Sequence, residues 1–396
     1  MINLRGFKLA ESLKEKIKGE LERRRSELVK LSLKIHANPE LGFQEVKAAS
    51  WLSDYLEDNG FNVERGIAGL ATAWRATYGE GKPAIALLAE YDALPGIGHG
   101  CGHNIIATSA IGAGVASKAV VDALGGRVIV LGTPGEETQG GKIDMISRGV
   151  FDDVDVAMMV HPSMLNIAMV KMLACISLEV EFFGRAAHAA VQPAAGINAV
   201  EAVISAFTAI NSLRQHIREE ARVHGIITDG GASPNVVPAH SAARFLVRAA
   251  DYGYLEELKG RVLNCFKGAA LSTGARLEYR WGDKVYAPLK NNVVLAKLFS
   301  ENLESLGRHI DIFDLQVPIG SSDMGNVSQV VPSVHPMVAV APAEVSLHSV
   351  EFASAAASEA GHEGLLDAAR AMAMTVADVL GQPEALEKIR QAFQGS

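Results

Sequence analysis

Runs of strand length that are almost wholly apolar punctuate the first half of the chain, and each ends on residues able to bind a metal. AIALLAEYDALP leads into Cys101-Gly102-His103, VIVLGTP into Glu136 and Glu137, and VDVAMMV into His161. A later run, SVHPMVAV, precedes His348 by a few residues. A strand without a polar side must be covered on both faces, which is the condition of a parallel sheet layered between helices. Helical stretches such as NIIATSAIGAGVASKAVVDAL lie between the runs and supply that cover. In an open sheet of this kind, ligands bind beyond the carboxyl ends of the strands. Thiol, imidazole and carboxylate side chains gathered on that one edge predict a metal centre.

A chain of 396 residues exceeds what one hydrophobic core usually supports, so two domains are expected. The net charge of −8 and the absence of a basic stripe argue against nucleic acid or an anionic membrane as partner. The charged start, MINLRGFKLAESLKEKIKGE, lacks the apolar core of a signal peptide, and no run approaches some eighteen consecutive apolar residues. Cys101, Cys175 and Cys265 are odd in number and widely spaced, unlike a disulfide framework. A cytoplasmic, reducing setting is the expectation.

Helical spacing over residues 8–35 and 43–59 predicts two amphipathic helices joined by HANPELGFQE, where Asn-Pro and Gly break the pattern. Strands are expected near 69–77, 83–90, 126–132 and 155–161. The middle of the chain reads differently. ISLEVEFFG, a helix over GINAVEAVISAFTAINSL, the strands VHGIITDG and SAARFLVRAA, a helix from Asp251 and the strand ARLEYRWG give the order β-α-β-β-α-β. That order is a split βαβ, ferredoxin-like unit. Residues 174–285 are therefore expected as an inserted domain, with 1–173 and 286–396 forming the two parts of a larger metal-binding domain. Helix over 289–307, strand over 333–340 and a long helix from about 357 complete the pattern.

Residue by residue, the site has a functional and a bland reading. Cys101 and His103 in the glycine-rich IGHGCGHN suit zinc or another transition metal, or are a buried cysteine with an incidental histidine. Glu136 and Glu137 repel one another and gain nothing in packing; the pair makes sense when one carboxylate binds a cation and the other handles a proton. The alternative is a solvated acidic turn. His161 and His348 carry weight only through their placement after strands. Asp92 is a candidate to orient a ligating imidazole, or a turn residue before Pro95. His99 reads as structural, and His188, Asn235 and Arg248 as ordinary surface residues. Three function classes remain open: a metal-dependent hydrolase, a thiol enzyme with Cys101 as nucleophile, and a metal-binding protein without catalysis. Glu136 beside Glu137 counts against the last.

The ordered set GHGCGHN, GTPGEE, MMVHP, GRAAHAAVQPAAGINA, GGASPNVVPA and LHSVEF resembles the two-metal amidohydrolases and peptidases. That family includes aminoacylase, carboxypeptidase G, the indole-acetyl-amino-acid hydrolases and p-aminobenzoyl-glutamate hydrolase. EYDALPGIGHGCGHN and HGIITDGG point to the last of these branches. The resemblance spans nearly the whole chain. It implies cleavage of an amide bond in an N-acyl or N-aroyl amino acid or dipeptide-like substrate, with removal of an amine from a small aromatic acid as the alternative at the same centre. It also implies two divalent ions, zinc or manganese with cobalt or nickel as alternatives, held by Cys101, His103, Glu137, His161 and His348. Glu136 would be the general base. The inserted domain would be a lid and dimerisation domain, making the protein a homodimer. His188 would reach a neighbouring subunit's site to hold the oxyanion, while Asn235 and Arg248 would grip a substrate carboxylate. Asn104 stands where the indole-acetyl branch carries an aspartate, and His188 and Pro193 are spaced one residue wider than in the peptidase branches.

Overall fold

The computed structural model describes residues 4–137, 139–311 and 320–395. In chain order it begins with α1 (Leu4–His36), α2 (Val46–Asp58), β1 (Asn62–Arg65), β2 (Trp74–Glu80), β3 (Ala84–Ala89), α3 (His103–Ala116), α4 (Lys118–Leu124), β4 (Gly126–Gly132), α5 (Gly141–Ser147), β5 (Val156–Met158) and β6 (His161–Ser163). The middle carries β7 (Ala174–Phe183), α6 (Ala199–Arg214), β8 (Arg222–Asp229), β9 (His240–Ala249), α7 (Tyr252–Thr273) and β10 (Arg276–Trp281). The chain returns through α8 (Val293–Ser305), α9 (Met324–Val330), β11 (Ser333–Val334), β12 (Met337–Ala339), α10 (Val350–Ala355), α11 (Glu359–Gly381) and α12 (Pro383–Gln394). Two compact units result: Met1–Val170 with Leu289–Leu315 and Ser322–Ser396, and Lys171–Pro288 with Gln316–Ser321.

The sheet of the first unit runs β1-β2-β4-β3-β5-β11. Its β4, β3, β5 and β11 are parallel neighbours, whereas β1 and β2 join antiparallel at one edge. The sheet is thus parallel-rich with an antiparallel edge. Every residue of β3 is buried. Alternation sends Ile85, Leu87 and Ala89 into the core that α1, α3 and α11 fill, and Ala84, Ala86 and Leu88 into a smaller core shared with Met145, Met324 and Val327. Each large side chain buried in this way contributes roughly 1.5–3 kcal/mol.

Three expectations shift in detail. The run at 69–77 pairs only from Trp74, and the shorter β1 precedes it. The run at 155–161 divides into β5 and β6, and β6 leaves the main sheet to pair with β12. The helix expected from about 357 is three helices, because Ser349 and Ser358 cap α10 and α11 and Pro383 restarts the chain in α12. His103–Leu124 is long and apolar enough to cross a membrane by composition, but 89% of it lies inside the fold. A helix apolar all round is a core helix when it is buried.

The second unit is a four-stranded antiparallel sheet in the order β10-β7-β9-β8. Ile176, Leu178, Val180 and Phe182 of β7 face α6 and α7, which pack on that one side. Asn198 and Asp251 cap the two helices. This is the β-α-β-β-α-β arrangement that the sequence order implies.

Candidate metal centre

The turn after β3 carries the first ligand candidates. Leu94 and Gly98 close it with two backbone hydrogen bonds of 2.9 and 3.0 Å. Gly102 then takes a φ of +74°, and a β-carbon there would stand 2.5 Å from Pro162. Only glycine serves both the left-handed turn and that close approach, which sets the Cys101 loop against the His161 strand. The result is a sulfur–nitrogen distance of 3.3 Å between Cys101 Sγ and His161 Nε2. His348 has a φ of +60°, rare for a residue with a side chain, and its N–H donates to the Gly100 carbonyl at 2.9 Å. Such conformations persist where the surroundings over-determine them, often at functional sites.

The turn after β4 brings Glu136 and Glu137 to the same place. Glu137 Oε1 lies 3.6 Å from His348 Nε2 and 3.8 Å from His103 Nε2. Cys101, His103 and His161 form one group of donor atoms within 4.8 Å of one another; Cys101, Glu137 and His348 form a second, and His103, Glu136 and Glu137 a third. The six candidates of the first unit are therefore assembled, and all but His348, half exposed, are largely buried.

The donor set fits a divalent ion. Bonds of about 2.0–2.3 Å in a tetrahedral site put neighbouring ligand atoms about 3.3–3.8 Å apart, the range seen among these pairs. His103 Nε2 and Glu137 Oε1 are buried with no hydrogen-bond partner. Orphaned lone pairs facing one another are costly without a cation between them. The far side of each imidazole is already engaged: Asp92 Oδ1 is 3.0 Å from His103 Nδ1, and the Pro162 carbonyl is 2.7 Å from His161 Nδ1. Those acceptors fix the N–H on Nδ1 and leave Nε2 as the ligand atom. Burial, followed by His335 and His103, holds His161 well below the ordinary imidazole range, so it is neutral. Asp92 also accepts from the Glu137 N–H at 3.0 Å and so orients two candidates at once.

Cys101 is unsuited to act as a free nucleophile. Burial first, then Glu137, pushes its thiol up, whereas nucleophilic cysteines sit where the thiolate is favoured. A cation reverses that preference for a ligand.

Several residues of the centre carried no signal in the sequence. Lys142, wholly buried, donates to Glu90 and, at 2.7 Å, to Asp323. Its backbone N–H also reaches Asp323, at 3.0 Å. Glu90, Glu136 and Asp323 form an acidic group of their own, and Lys142 supplies a cation bonded to two of its members. His335 stacks edge-on against His161 with ring centres 5.8 Å apart, and burial pushes its pKa down to about 4. Glu90 ends the apolar run in plain view, but nothing local marks Lys142, Asp323 or His335. Asn104 donates to Ser32 and to the Ala356 carbonyl, a structural role in the core. His99, buried and pushed down to about 3 chiefly by burial, joins none of the donor groups.

The remaining candidates lie in the second unit. His188 and Asn235 are neighbours: Ala189 N–H donates to the Asn235 carbonyl at 3.0 Å, and His188 bridges Val236. Asn235 Oδ1 accepts from Ser233. Arg248, on β9 opposite Cys175 and Arg222, donates to Ser321 Oγ at 2.8 Å.

A sequence model described as peptidase family M20/M25/M40 matches residues 86–376, which span both units. The chain belongs to this family. It is an amide-hydrolysing enzyme of the M20 kind, not a metal-binding protein without catalysis. The M20 chain is 36% identical to the Xaa-Arg dipeptidase of Mus musculus, over 97% of its own length and 93% of that protein's. It is 31% identical to one of the two p-aminobenzoyl-glutamate hydrolase subunits of Escherichia coli, over 94% and 93% of the two lengths. Among solved structures, a Bacillus subtilis protein described as a dinuclear metal-binding peptidase of the M20 family shares the fold. Its TM-score is 0.70 at 21% identity, over 91% of this chain and 99% of that one.

Proposed function

We propose that the enzyme hydrolyses the amide bond of a dipeptide or an N-acyl or N-aroyl amino acid, with Glu136 as general base. The observation that carries the reading is the buried Glu136 carboxyl, which joins His103 and Glu137 in one donor group beside the other ligand candidates. Two divalent ions held by Cys101, His103, Glu137, His161 and His348, zinc or manganese first, supply the Lewis acidity that lowers the pKa of a bound water from about 15.7 toward about 7. Cys101 belongs to two of the donor groups and is the residue the two ions share. Glu136 takes the proton as the water oxygen bonds to the scissile carbonyl carbon. It returns that proton to the amide nitrogen as the C–N bond breaks, leaving a carboxylate and an amine. Burial, reinforced by Glu90 and Asp323, holds the Glu136 carboxyl well above the usual range, which suits a group that must accept and keep a proton between those steps.

The second unit is proposed as lid and dimerisation domain, with His188 as oxyanion donor to a neighbouring subunit and Asn235 and Arg248 for a substrate carboxylate. A planar guanidinium matches that carboxylate through two parallel hydrogen bonds. The edge strand β8, with Ile226 65% exposed, supports pairing with a second copy. The free Cys101, Cys175 and Cys265 support a reducing, cytoplasmic setting.

The reading is tested on Glu136→Gln. Metal content should match the wild type while kcat falls about 10²–10⁴-fold, the usual contribution of a positioned base. Turnover near wild type would remove Glu136 from the role. Substrate class is read from a panel of Xaa-Arg dipeptides, p-aminobenzoyl-glutamate and N-acyl amino acids, each assayed with zinc and with manganese.

A further inference from the structure

The turn that carries Glu136 and Glu137 is held from behind by a residue far from it in sequence. Glu45 is completely buried. It occupies the N-cap position of α2, yet its side chain makes no bond to that helix. Glu40 serves the helix instead, accepting from the N–H groups of Lys47 and Ala48 at 2.9–3.1 Å. Glu45 is thereby released: its Oε1 accepts from the Gly135 N–H at 2.8 Å and its Oε2 from the Thr72 hydroxyl at 3.0 Å. Asp92 accepts from the Glu137 N–H at 3.0 Å. Two carboxylates on different elements thus grip the backbone on either side of Glu136. The loop before α2 fits the same turn by shape. A β-carbon at Gly42 would stand 2.9 Å from Gly135 Cα, and the Phe43 ring lies 2.8 Å from where a β-carbon of Gly135 would be. Phe43 holds a φ of +63° to reach that position.

We propose that Glu45 is a positioning residue for catalysis, which fixes the Gly135–Glu137 backbone through the Gly135 N–H so that the Glu136 carboxyl is held where the proton must be taken. The proposal rests on the assignment of Glu136 as base. Placement errors of about 1 Å at a reacting group cost about a hundredfold in rate, so loosening this turn is read in kcat and not in metal content. Burial, with Asp92 adding to it, pushes the Glu45 carboxyl up to about 7. The neutral acid keeps a carbonyl oxygen for Gly135, and glutamine reproduces that form with an amide group toward Thr72.

The test compares Glu45→Ala, Glu45→Gln, Thr72→Val and Glu136→Gln in the metal-loaded enzyme, reading kcat, KM, metal stoichiometry and Tm. Glu45→Ala should lower kcat tenfold or more with KM within twofold and metal unchanged, while Glu45→Gln stays within threefold of wild type. A Glu45→Ala enzyme with wild-type kcat, or a Glu45→Gln enzyme as slow as the alanine variant, overturns the proposal. If Glu45→Ala does not fold, Thr72→Val decides: it removes one of the two anchors and should lower kcat at least threefold at constant KM, and wild-type kcat overturns the proposal. An active Glu136→Gln brings down the base assignment and the proposal with it. An inactive Glu136→Gln beside a fully active Glu45→Ala brings down the proposal alone.

Discussion

Replacing Asp92 by asparagine changes no volume and removes one charge, and the surrounding donors dictate the consequence. Both carboxylate oxygens accept from donors, His103 Nδ1 and the Glu137 backbone N–H, each at 3.0 Å. Asparagine has a single acceptor oxygen, so its NH₂ must face one of the two. Facing His103, it forces the proton onto Nε2 and removes the lone pair that would bind the ion. Facing Glu137, it opposes an N–H with an N–H and frees the turn. A hydrogen bond to a charged group is worth about 1.5–3 kcal/mol, or about ten- to 150-fold in an equilibrium constant. Partners behind metal ligands cost about 10–100-fold in affinity when mutated. The metal dissociation constant of Asp92→Asn should therefore rise about 10–100-fold. Competition against a chromophoric chelator, for zinc and manganese separately, measures it, and circular dichroism of the chelated protein verifies the fold. Affinity within about twofold of wild type would refute the claim that Asp92 sets the His103 tautomer.

Lys142→Met leaves Glu90, Asp323 and Glu136 without their buried cation. Removing one partner of a buried ion pair costs about 3–5 kcal/mol, so the urea midpoint of the metal-free variant should drop accordingly; a loss under about 1 kcal/mol refutes the assignment. His240 lies between Glu181 at 2.8 Å and Asp229 at 2.7 Å, and hydrogen bonding to them, Glu181 first, raises its pKa above 6.5. A raised histidine contributes stability that is complete below the unfolded value and lost as pH rises through the folded one. His240→Gln should thus cost about 0.5–1 kcal/mol at pH 5.5, the scale of a partly exposed pair, and close to nothing at pH 9. Equal losses at both pH values would show that the pairing contributes nothing.

Legibility differed between the fold and the site. The parallel core strands announced themselves because burial on both faces leaves no polar position in AIALLA, and the second unit did so through simple alternation. The short strands did not: β1, β11 and β12 have two to four residues each, too few for a period to register. Cys101, His103, Glu136 and Glu137 were visible as polar residues at strand ends. Glu45 was not, because HANPELGFQE looks like an ordinary link between helices. Its carboxylate acquires a partner only when Gly135, ninety residues away in sequence, folds against it.

The sequence by itself determined the α/β core, the split middle domain, the family and the residue types gathered at the strand ends, since these follow from local periodicity and from motifs whose order survives without coordinates. Tertiary structure alone decided which nitrogen of each histidine is left for a ligand, that Lys142 is bonded within the acidic group behind Glu136, and that Glu45 and Asp92 grip the catalytic turn from both sides. Those are statements about which donor meets which acceptor. A donor's partner is set by distances across the folded chain, where residues far apart in sequence come within about 3 Å of one another.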